Sequence, residues 1–146
     1  MASAEGLQTL ADGSVEADGR ATPSSEAATL TQADVAAKRL WAVRQDDVVY
    51  AEELCPFGRT LETGVIKHTN LTGGNSAYGG GELLWQDERT LILNGQSGRY
   101  GIRSSDEMTA VSVAFRKSGY HVWSMGYDAE ADWPLPFVGV RPQWIP

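Results

Sequence analysis

The feature that most constrains the fold is the glycine-rich stretch TGGNSAYGGG, which runs from Thr72 to Gly81 and leads into the apolar run ELLW. Phosphate-binding loops of the Rossmann and P-loop kinds open a helix, whereas ELLW has the pattern of a strand. The stretch therefore predicts a connection between two strands. Its glycines are consistent with either a flexible rim above a site or a wide β-connection.

Strand patterns dominate the chain from Gly64 onward. Short strands are predicted for GVIKHT, ELLW, TLILN and YHVWSMGY, and another for residues 48–50. A longer helix is predicted after Ser104, because Ser104 and Glu107 form an S-x-x-E capping pattern and an apolar face follows at helical spacing. Gly119 is placed to end that helix.

The N-terminal part of the chain divides into an arm and a helix. Residues 1–29 are mostly small, polar and acidic; they bury too little apolar surface to offset the entropy of ordering and predict a disordered acidic arm. The arm is either a solvated tail or an export or chaperone-docking segment. A first helix is predicted from Thr31, with an apolar face that continues to Leu40 and Trp41.

These elements predict an α+β fold in a single domain, residues 30–146, because a chain of 146 residues has room for one core of ordinary size. We expect a small antiparallel sheet with the N-terminal helix and the longer helix packed on it. The C-terminal segment DWPLPFVGVRPQWIP is rich in proline and tryptophan and predicts an extended tail. That tail either covers the domain or is exposed as a docking motif.

The net charge of −7 lies almost entirely in the N-terminal segment. Residues 1–56 carry four bases and ten acids, a net charge of −6, and residues 57–146 carry eight bases and nine acids, a net charge of −1. Binders of duplex nucleic acid normally present a basic face, so this distribution argues against that class. The same distribution is compatible with a pocket that binds one nucleotide or one RNA loop. The acidic surface favours a basic protein partner.

Cysteine, histidine and hydropathy patterns argue against further classes. Cys55 is the only cysteine, so no internal disulfide forms, and with two histidines we expect no structural metal site. No apolar run approaches about 18 residues, which argues against a membrane span. The first residues lack the basic start and apolar stretch of a signal peptide. The expected location is the cytoplasm, or outside the cell by a route without a cleaved Sec signal.

Four side chains are candidates for catalysis. His68 has the pKa range of a general acid or base, and Glu82 begins an apolar strand that can desolvate its carboxylate. Arg99 offers a planar fork of donors for phosphate or carboxylate, and Tyr100 offers a flat face and a hydroxyl. The predicted ligand-binding residues flank these positions: Thr69, Asn70, Gly73, Gly74, Ser97 and Gly98.

Each candidate also has a purely structural interpretation. His68 can be a packed residue, Glu82 an ordinary strand-end acid, and the turn at residues 97–100 a structural corner. His121 alternates with apolar neighbours and is interpreted as a packed or surface residue. The functional hypothesis requires His68, Glu82 and the turn to converge on one end of the sheet.

The segments KHTNL, GGEL, ILNGQSGRYG and SGYHVWSMGYD occur in an order that resembles a domain at the C-termini of bacterial polymorphic toxins and effectors. The order is also similar to a stretch of plant calmodulin-binding IQ-motif proteins. The resemblance covers about residues 64–128 and implies an effector context rather than a reaction. Arg99 stands where the plant version has histidine, and no IQ motif is visible, so calmodulin binding is not carried over. The signature positions that it implies are His68, Glu82, Ser97, Gly98 and Tyr100.

Two classes of function follow. The first is a secreted effector or toxin domain that uses His68, Glu82, Arg99 and Tyr100 for ADP-ribosyl transfer or RNA cleavage. No cofactor is expected, and NAD would be a substrate in the first of these reactions. The second is a non-enzymatic interaction module, such as an adaptor, assembly or immunity-type protein, that uses its acidic surface and its tail. Five tryptophans in 146 residues favour it, because Trp is enriched at interface hot spots.

Overall fold

The computed structural model describes residues 38–44, 48–53, 59, 61–73, 76–87 and 89–146. The described elements, in chain order, are β1 (Arg39–Val43), β2 (Val48–Ala51), α1 (His68–Thr72), β3 (Gly79–Trp85), β4 (Thr90–Asn94), α2 (Ser105–Lys117), β5 (His121–Ser124), β6 (Tyr127–Asp128), β7 (Trp133–Pro134) and β8 (Gln143–Ile145). The predicted arm at residues 1–29, the start of the predicted first helix at Thr31, Cys55 and Gly74 lie outside the described residues.

The strands form a six-stranded mixed sheet in the order β2–β1–β3–β4–β5–β8 and a two-stranded ribbon, β6–β7. The α+β prediction is confirmed. The prediction of an antiparallel sheet is wrong at one pair, because β4 and β5 run parallel, with Thr90 opposite His121. A parallel pair cannot be joined by a tight turn, and α2 provides the crossover between these two strands.

The predicted longer helix is confirmed as α2. The Ser104 side chain accepts a hydrogen bond from the Glu107 N–H at 3.1 Å, which satisfies one of the helix's open donors. Gly119 follows the helix with φ +100°, a conformation that favours glycine. Met108, Val111 and Phe115 are buried along the face that the apolar spacing predicts.

The predicted first helix is wrong where it can be compared with the structure, because Leu40 and Trp41 lie in strand β1. β1 pairs with β2 on one side and with β3 on the other, so both of its faces are covered. Leu40 and Trp41 belong to different apolar clusters and are 6 % and 0 % exposed. A helix would direct two successive side chains to one stripe, whereas a strand supplies both layers.

The segment GVIKHT, predicted as a strand with His68 at its end, instead leads into helix α1, whose first residue is His68. The Asn70 side-chain oxygen accepts a hydrogen bond from the Lys67 N–H at 2.8 Å, which caps the helix start. Gly73 ends the helix with φ +66°. Leu71 is fully buried against the sheet, so tertiary packing stabilises a helix of five residues that would not form alone.

Gly79, Gly80 and Gly81 were expected in a loop and are the first residues of the central strand β3. A Cβ at Gly81 would lie 2.0 Å from the Asn94 carbonyl oxygen and 2.9 Å from the Trp41 ring. The glycines here allow close approach of neighbouring groups to the strand.

The two faces of the sheet carry different cores. The α2 face, against which α2 packs, has one continuous apolar cluster: Trp41, Val43, Tyr50, Leu83, Leu91, Leu93, Ile102, Met108, Val111, Phe115, Tyr120 and Val122. The α1 face, on the opposite side, has two separate clusters. The first consists of Leu40, Ala42, Val49, Ala51, Ile66 and Leu71. The second consists of Leu84, Ile92, Trp123, Met125 and Phe137.

The C-terminal residues contribute to the second cluster and to the sheet edge. β8 pairs with β5, with Trp144 opposite Trp123, and Phe137 is 4 % exposed. Trp133 pairs with Asp128 in the β6–β7 ribbon and leaves 61 % of its surface exposed. The segment therefore combines buried and exposed aromatic side chains.

Candidate functional site

The α1 face carries a polar strip between its two apolar clusters. Gly80 lies opposite Ala42, and Glu82 lies opposite both Leu40 and Asn94. Side chains alternate along a strand, so the side chains of Glu82 and Asn94 lie on this face. A side chain at Gly80 would point to the same face. The strip is the part of the face where α1 and the turn at residues 97–100 meet the sheet.

Helix α1 places the His68 ring directly over β3. The His68 Nε2 lies 2.8 Å from the Gly81 carbonyl oxygen. A Cβ at Gly80 would lie 3.1 Å from the His68 Cδ2 and 3.0 Å from the Tyr100 Cβ. His68 and Tyr100 therefore flank the same point on β3, and the absence of a side chain at Gly80 makes room for both.

The contact with Gly81 fixes the protonation pattern of the His68 ring. A carbonyl oxygen only accepts, so Nε2 carries the proton and Nδ1 carries the lone pair of the neutral ring. Burial lowers the pKa of His68 below its ordinary value of 6.5, although the Gly81 hydrogen bond and the carboxylates of Glu82 and Glu53 act in the opposite direction. The ring is therefore neutral at pH 7 and can accept a proton at Nδ1.

The Glu82 carboxylate is engaged by two partners. One oxygen lies 2.7 Å from the Lys38 ammonium, and the other accepts a hydrogen bond from the Asn94 amide at 3.1 Å. The Asn94 side-chain oxygen accepts from the backbone N–H groups of Glu82, at 2.9 Å, and Gln96, at 3.1 Å. Hydrogen bonding to Glu82 also raises the pKa of Lys38. These bonds hold Glu82 as a fixed negative charge near His68.

The turn at residues 97–100 is fastened to both β3 and α1. The Ser97 hydroxyl accepts a hydrogen bond from the Tyr100 N–H at 3.2 Å, and the Tyr100 carbonyl accepts from the Gly80 N–H at 2.8 Å. The Tyr100 hydroxyl lies 2.8 Å from the Thr72 hydroxyl in a buried contact. The Arg99 guanidinium lies 5.4 Å from the centre of the Tyr100 ring. Tyr100 thus anchors the turn and positions Arg99.

Five of the predicted site residues line one cavity of about 410 Å³: His68, Thr69, Ser97, Gly98 and Arg99. Its remaining wall is formed by residues that the sequence did not single out: Leu40, Glu53, Val65, Ile66 and Lys67. Two cationic side chains, Lys67 and Arg99, therefore share a cavity with a neutral histidine. Such a set can bind an anion and take a proton from a group bonded to it.

The other predicted residues lie beside this cavity. Asn70 caps α1 through its side chain and Gly73 ends it. Glu82 acts on His68 through its charge, and Tyr100 lines a smaller polar cavity of about 120 Å³ that Arg99 also borders. The convergence of His68, Glu82 and the turn is present, and of these residues His68, Ser97, Gly98 and Arg99 line the cavity.

Lys67 is a site residue that the sequence signals weakly. It directly precedes His68 at the start of α1 and lines the same cavity. Glu53 and Leu40 come from residues in and just after the β1–β2 pair, whose packing beneath α1 depends on tertiary contacts. No local pattern in the sequence predicts that these residues meet.

A second cavity, of about 400 Å³, lies beside α2 and none of the predicted site residues lines it. Val43, Val48 and Val111 are among the residues that line it. Within the described ranges, no group of three or more His, Cys, Asp or Glu side chains is arranged to hold a metal ion. The same part of the chain contains no helix that is long and apolar enough to cross a membrane.

Comparison with known proteins finds no match to the chain among family models, curated proteins or solved structures. The function therefore has to be inferred from the chemistry of the cavity residues.

Proposed function

We propose that the chain is a catalytic domain of the bacterial secreted effector or toxin type that cleaves RNA, with His68 as the general base. One observation carries the proposal: His68 and Arg99, 31 positions apart in the sequence, line the same cavity together with Lys67. A neutral histidine that shares a cavity with two cationic residues is suited to a substrate whose reacting hydroxyl is next to a phosphate.

The reaction that fits these groups is a metal-independent transesterification. His68 Nδ1 takes the proton of the ribose 2′-hydroxyl, and the 2′ oxygen forms a bond to phosphorus while the bond from phosphorus to the 5′ oxygen breaks. Water protonates the leaving 5′ oxygen, and His68 later returns its proton to water. The products are a 2′,3′-cyclic phosphate and a 5′-hydroxyl. Arg99 and Lys67 stabilise the added negative charge on the phosphorane.

ADP-ribosyl transfer has less support from the arrangement of the side chains. In that reaction the flat face of Tyr100 would stack on nicotinamide, but the Tyr100 hydroxyl is bonded to Thr72 and its ring lies next to Arg99. Tyr100 is 9 % exposed and does not line the cavity that contains His68. RNA cleavage uses only side chains that border that cavity.

The test is cleavage of a DNA oligonucleotide that contains one ribonucleotide. We expect the wild-type protein to cut it at the ribonucleotide and to leave an all-DNA control intact, because the 2′-hydroxyl is the nucleophile. His68→Gln should lower the rate roughly 100- to 10,000-fold, the usual contribution of a general base. His121→Gln is the matched control, because His121 is stacked beside Trp144 outside the cavity. Equal rates for wild type and His68→Gln, or no cut at the ribonucleotide, would contradict the proposal.

Growth of bacteria that express the protein tests the effector context. We expect the wild type to slow growth and His68→Gln to be harmless while it accumulates as folded protein. Toxicity accompanied by transfer of label from labelled NAD to cell proteins would instead support ADP-ribosyl transfer.

Exposure of Trp133 favours the second candidate, an interaction module with a protein partner. Its side chain is 61 % exposed in the ribbon that, with its turn, carries Asp128, Glu130 and Asp132, so a basic partner would complement the charge around Trp133. Trp133→Ala should then abolish binding of a purified basic partner peptide and leave RNA cleavage unchanged. Loss of RNA cleavage on this substitution, with no effect on peptide binding, would count against the interaction module.

A further inference from the structure

We infer that the cavity binds a single nucleotide unit, with its phosphate at Lys67 and Arg99 and its base against the apolar wall formed by Leu40, Val65 and Ile66. The inference rests on the proposed function for its choice of ligand, and it adds the subsites, the orientation and a base preference.

The cavity walls come from three parts of the chain. The turn contributes Ser97, Gly98 and Arg99, and the start of α1 contributes Lys67, His68 and Thr69. The third wall contains the apolar side chains, of which Leu40 is 6 % and Ile66 1 % exposed. His68 lines the same cavity as Lys67 and Arg99, so a ligand that fills the cavity lies next to the His68 ring.

The phosphate subsite follows from the charged donors. Lys67 and Arg99 are exposed cations at the start of α1 and in the turn, and the lining residues Thr69 and Ser97 come from the same two segments. Guanidinium and ammonium groups bind phosphate through charge-assisted hydrogen bonds. A phosphate held there lies beside His68, which is the position that the proposed cleavage requires.

The base subsite follows from the third wall. Val65 is half-buried and offers apolar surface to the flat face of an aromatic ring, whereas Leu40 and Ile66 belong to the buried cluster next to it. Sites for small ligands are mostly lined by apolar residues. The volume of about 410 Å³ is within the range of roughly 300 to 1,000 Å³ that is usual for small-ligand sites. The cavity therefore has room for one nucleotide unit.

Glu53 gives the base subsite a preference. Its backbone carbonyl accepts a hydrogen bond from the Ile66 N–H at 2.9 Å, so it adjoins the apolar wall, and Glu53 is itself a lining residue of the cavity whose carboxylate acts on His68. A carboxylate accepts hydrogen bonds from exocyclic amino groups, which adenine and cytosine carry and uracil lacks. We expect adenosine and cytidine nucleotides to bind more tightly than uridine nucleotides.

The experiment is calorimetric titration of the full chain with adenosine 3′-monophosphate, inorganic phosphate and adenosine. The nucleotide should bind at least about tenfold more tightly than either fragment, because both subsites contribute. Arg99→Ala and Lys67→Ala should each lower the affinity for the nucleotide by about fivefold or more and leave the affinity for adenosine unchanged. Arg103→Ala and Lys117→Ala are matched controls outside this cavity and should change affinity less than about twofold.

Three results would overturn the inference: phosphate that binds as tightly as the nucleotide, affinity that is indifferent to Lys67 and Arg99, or uridine 3′-monophosphate that binds more tightly than its adenosine and cytidine counterparts. Arg99→Lys and Lys67→Arg retain the charge and should retain most of the affinity, which separates loss of a contact from loss of the fold.

Failure of this inference is distinguishable from failure of the proposed function. If nucleotide affinity depends on Lys67 and Arg99 but the protein leaves RNA intact, the result supports the subsites and contradicts the reaction. RNA cleavage that depends on His68, with nucleotide binding indifferent to Lys67 and Arg99, supports the reaction and contradicts the subsites.

Discussion

The two faces of the sheet share the same strands and differ in what covers them. On the α2 face, one helix closes a continuous apolar cluster around Trp41 and Phe115, whose rings meet edge to face at 5.3 Å. On the α1 face, a five-residue helix and the C-terminal residues cover separate clusters, and the polar strip with Glu82 and Asn94 lies between them. The first arrangement stabilises the fold, and the second leaves a gap in which polar side chains can meet a ligand.

Substitution of a glycine in β3 tests this difference with the largest expected change in stability. A methyl group at Gly81 would lie 2.0 Å from the Asn94 carbonyl oxygen and 2.9 Å from the Trp41 ring, so the backbone pairing of β3 and β4 has to move. We expect Gly81→Ala to lower the free energy of unfolding by more than about 3 kcal/mol, beyond the usual cost of overpacking. Urea unfolding measures this change.

Gly98→Ala is the control for that measurement, since a Cβ at Gly98 has no heavy atom of the described structure within 4 Å. Its free energy of unfolding should stay within about 0.5 kcal/mol of the wild type. A Gly81→Ala protein as stable as the Gly98→Ala protein would contradict the packing described for β3.

Gly80→Ala sharpens the comparison, because its methyl group points to the other face. It would lie 3.1 Å from the Cδ2 of the His68 ring, which can shift, and 3.0 Å from the Tyr100 Cβ, which moves only with its backbone. We expect a loss of roughly 1 to 2 kcal/mol in stability together with a larger fall in RNA cleavage, because the His68 ring is displaced. An unchanged cleavage rate in a folded Gly80→Ala protein would argue against His68 as the base.

The sequence predicts the α2 face better than the α1 face for a physical reason. α2 is specified by its own residues, through the Ser104 cap and an apolar face at helical spacing. Strands β3 and β4 likewise show their pattern locally in ELLW and TLILN. Each of these elements could be predicted from contiguous residues.

The α1 face depends on contacts between distant residues. β1 resembles the end of a helical pattern because alanines precede Leu40, and its strand conformation follows from pairing with β2 and β3. α1 is too short to be stable alone and forms where Leu71 is buried. The positions of His68 and the turn could therefore be predicted as neighbours, whereas the contributions of Lys67 and Glu53 could not.

Tyr100→Phe distinguishes an anchoring role from a catalytic one. The substitution removes the buried hydroxyl contact with Thr72 and should cost about 1 kcal/mol of stability, the usual net value of a hydrogen bond. We expect the cleavage rate to fall less than about tenfold, since Tyr100 does not line the cavity. Tyr78→Phe, at a site that is 64 % exposed, is the control. A much larger fall in rate with little loss of stability would assign Tyr100 to the chemistry.

Glu82→Gln should have the smallest effect on the fold and a specific effect on pH dependence. The Glu82 carboxylate raises the pKa of His68 against the lowering effect of burial, so its removal lowers that pKa further. The acid limb of the cleavage rate should shift to lower pH, while Glu130→Gln, at an exposed position, leaves it unchanged. A shift to higher pH would contradict the electrostatic role of Glu82.

The central claim is that a neutral His68 in the α1-face cavity removes the proton of the attacking hydroxyl. The most direct measurement is the cleavage rate of the single-ribonucleotide substrate between about pH 5 and pH 8, for wild type and His68→Gln. The lowered pKa of His68 predicts a wild-type rate that rises with pH and reaches half its plateau below pH 6.5. His68→Gln should lose both this rise and most of the rate. A wild-type profile with its midpoint above pH 6.5, or the same profile in His68→Gln, would contradict the account.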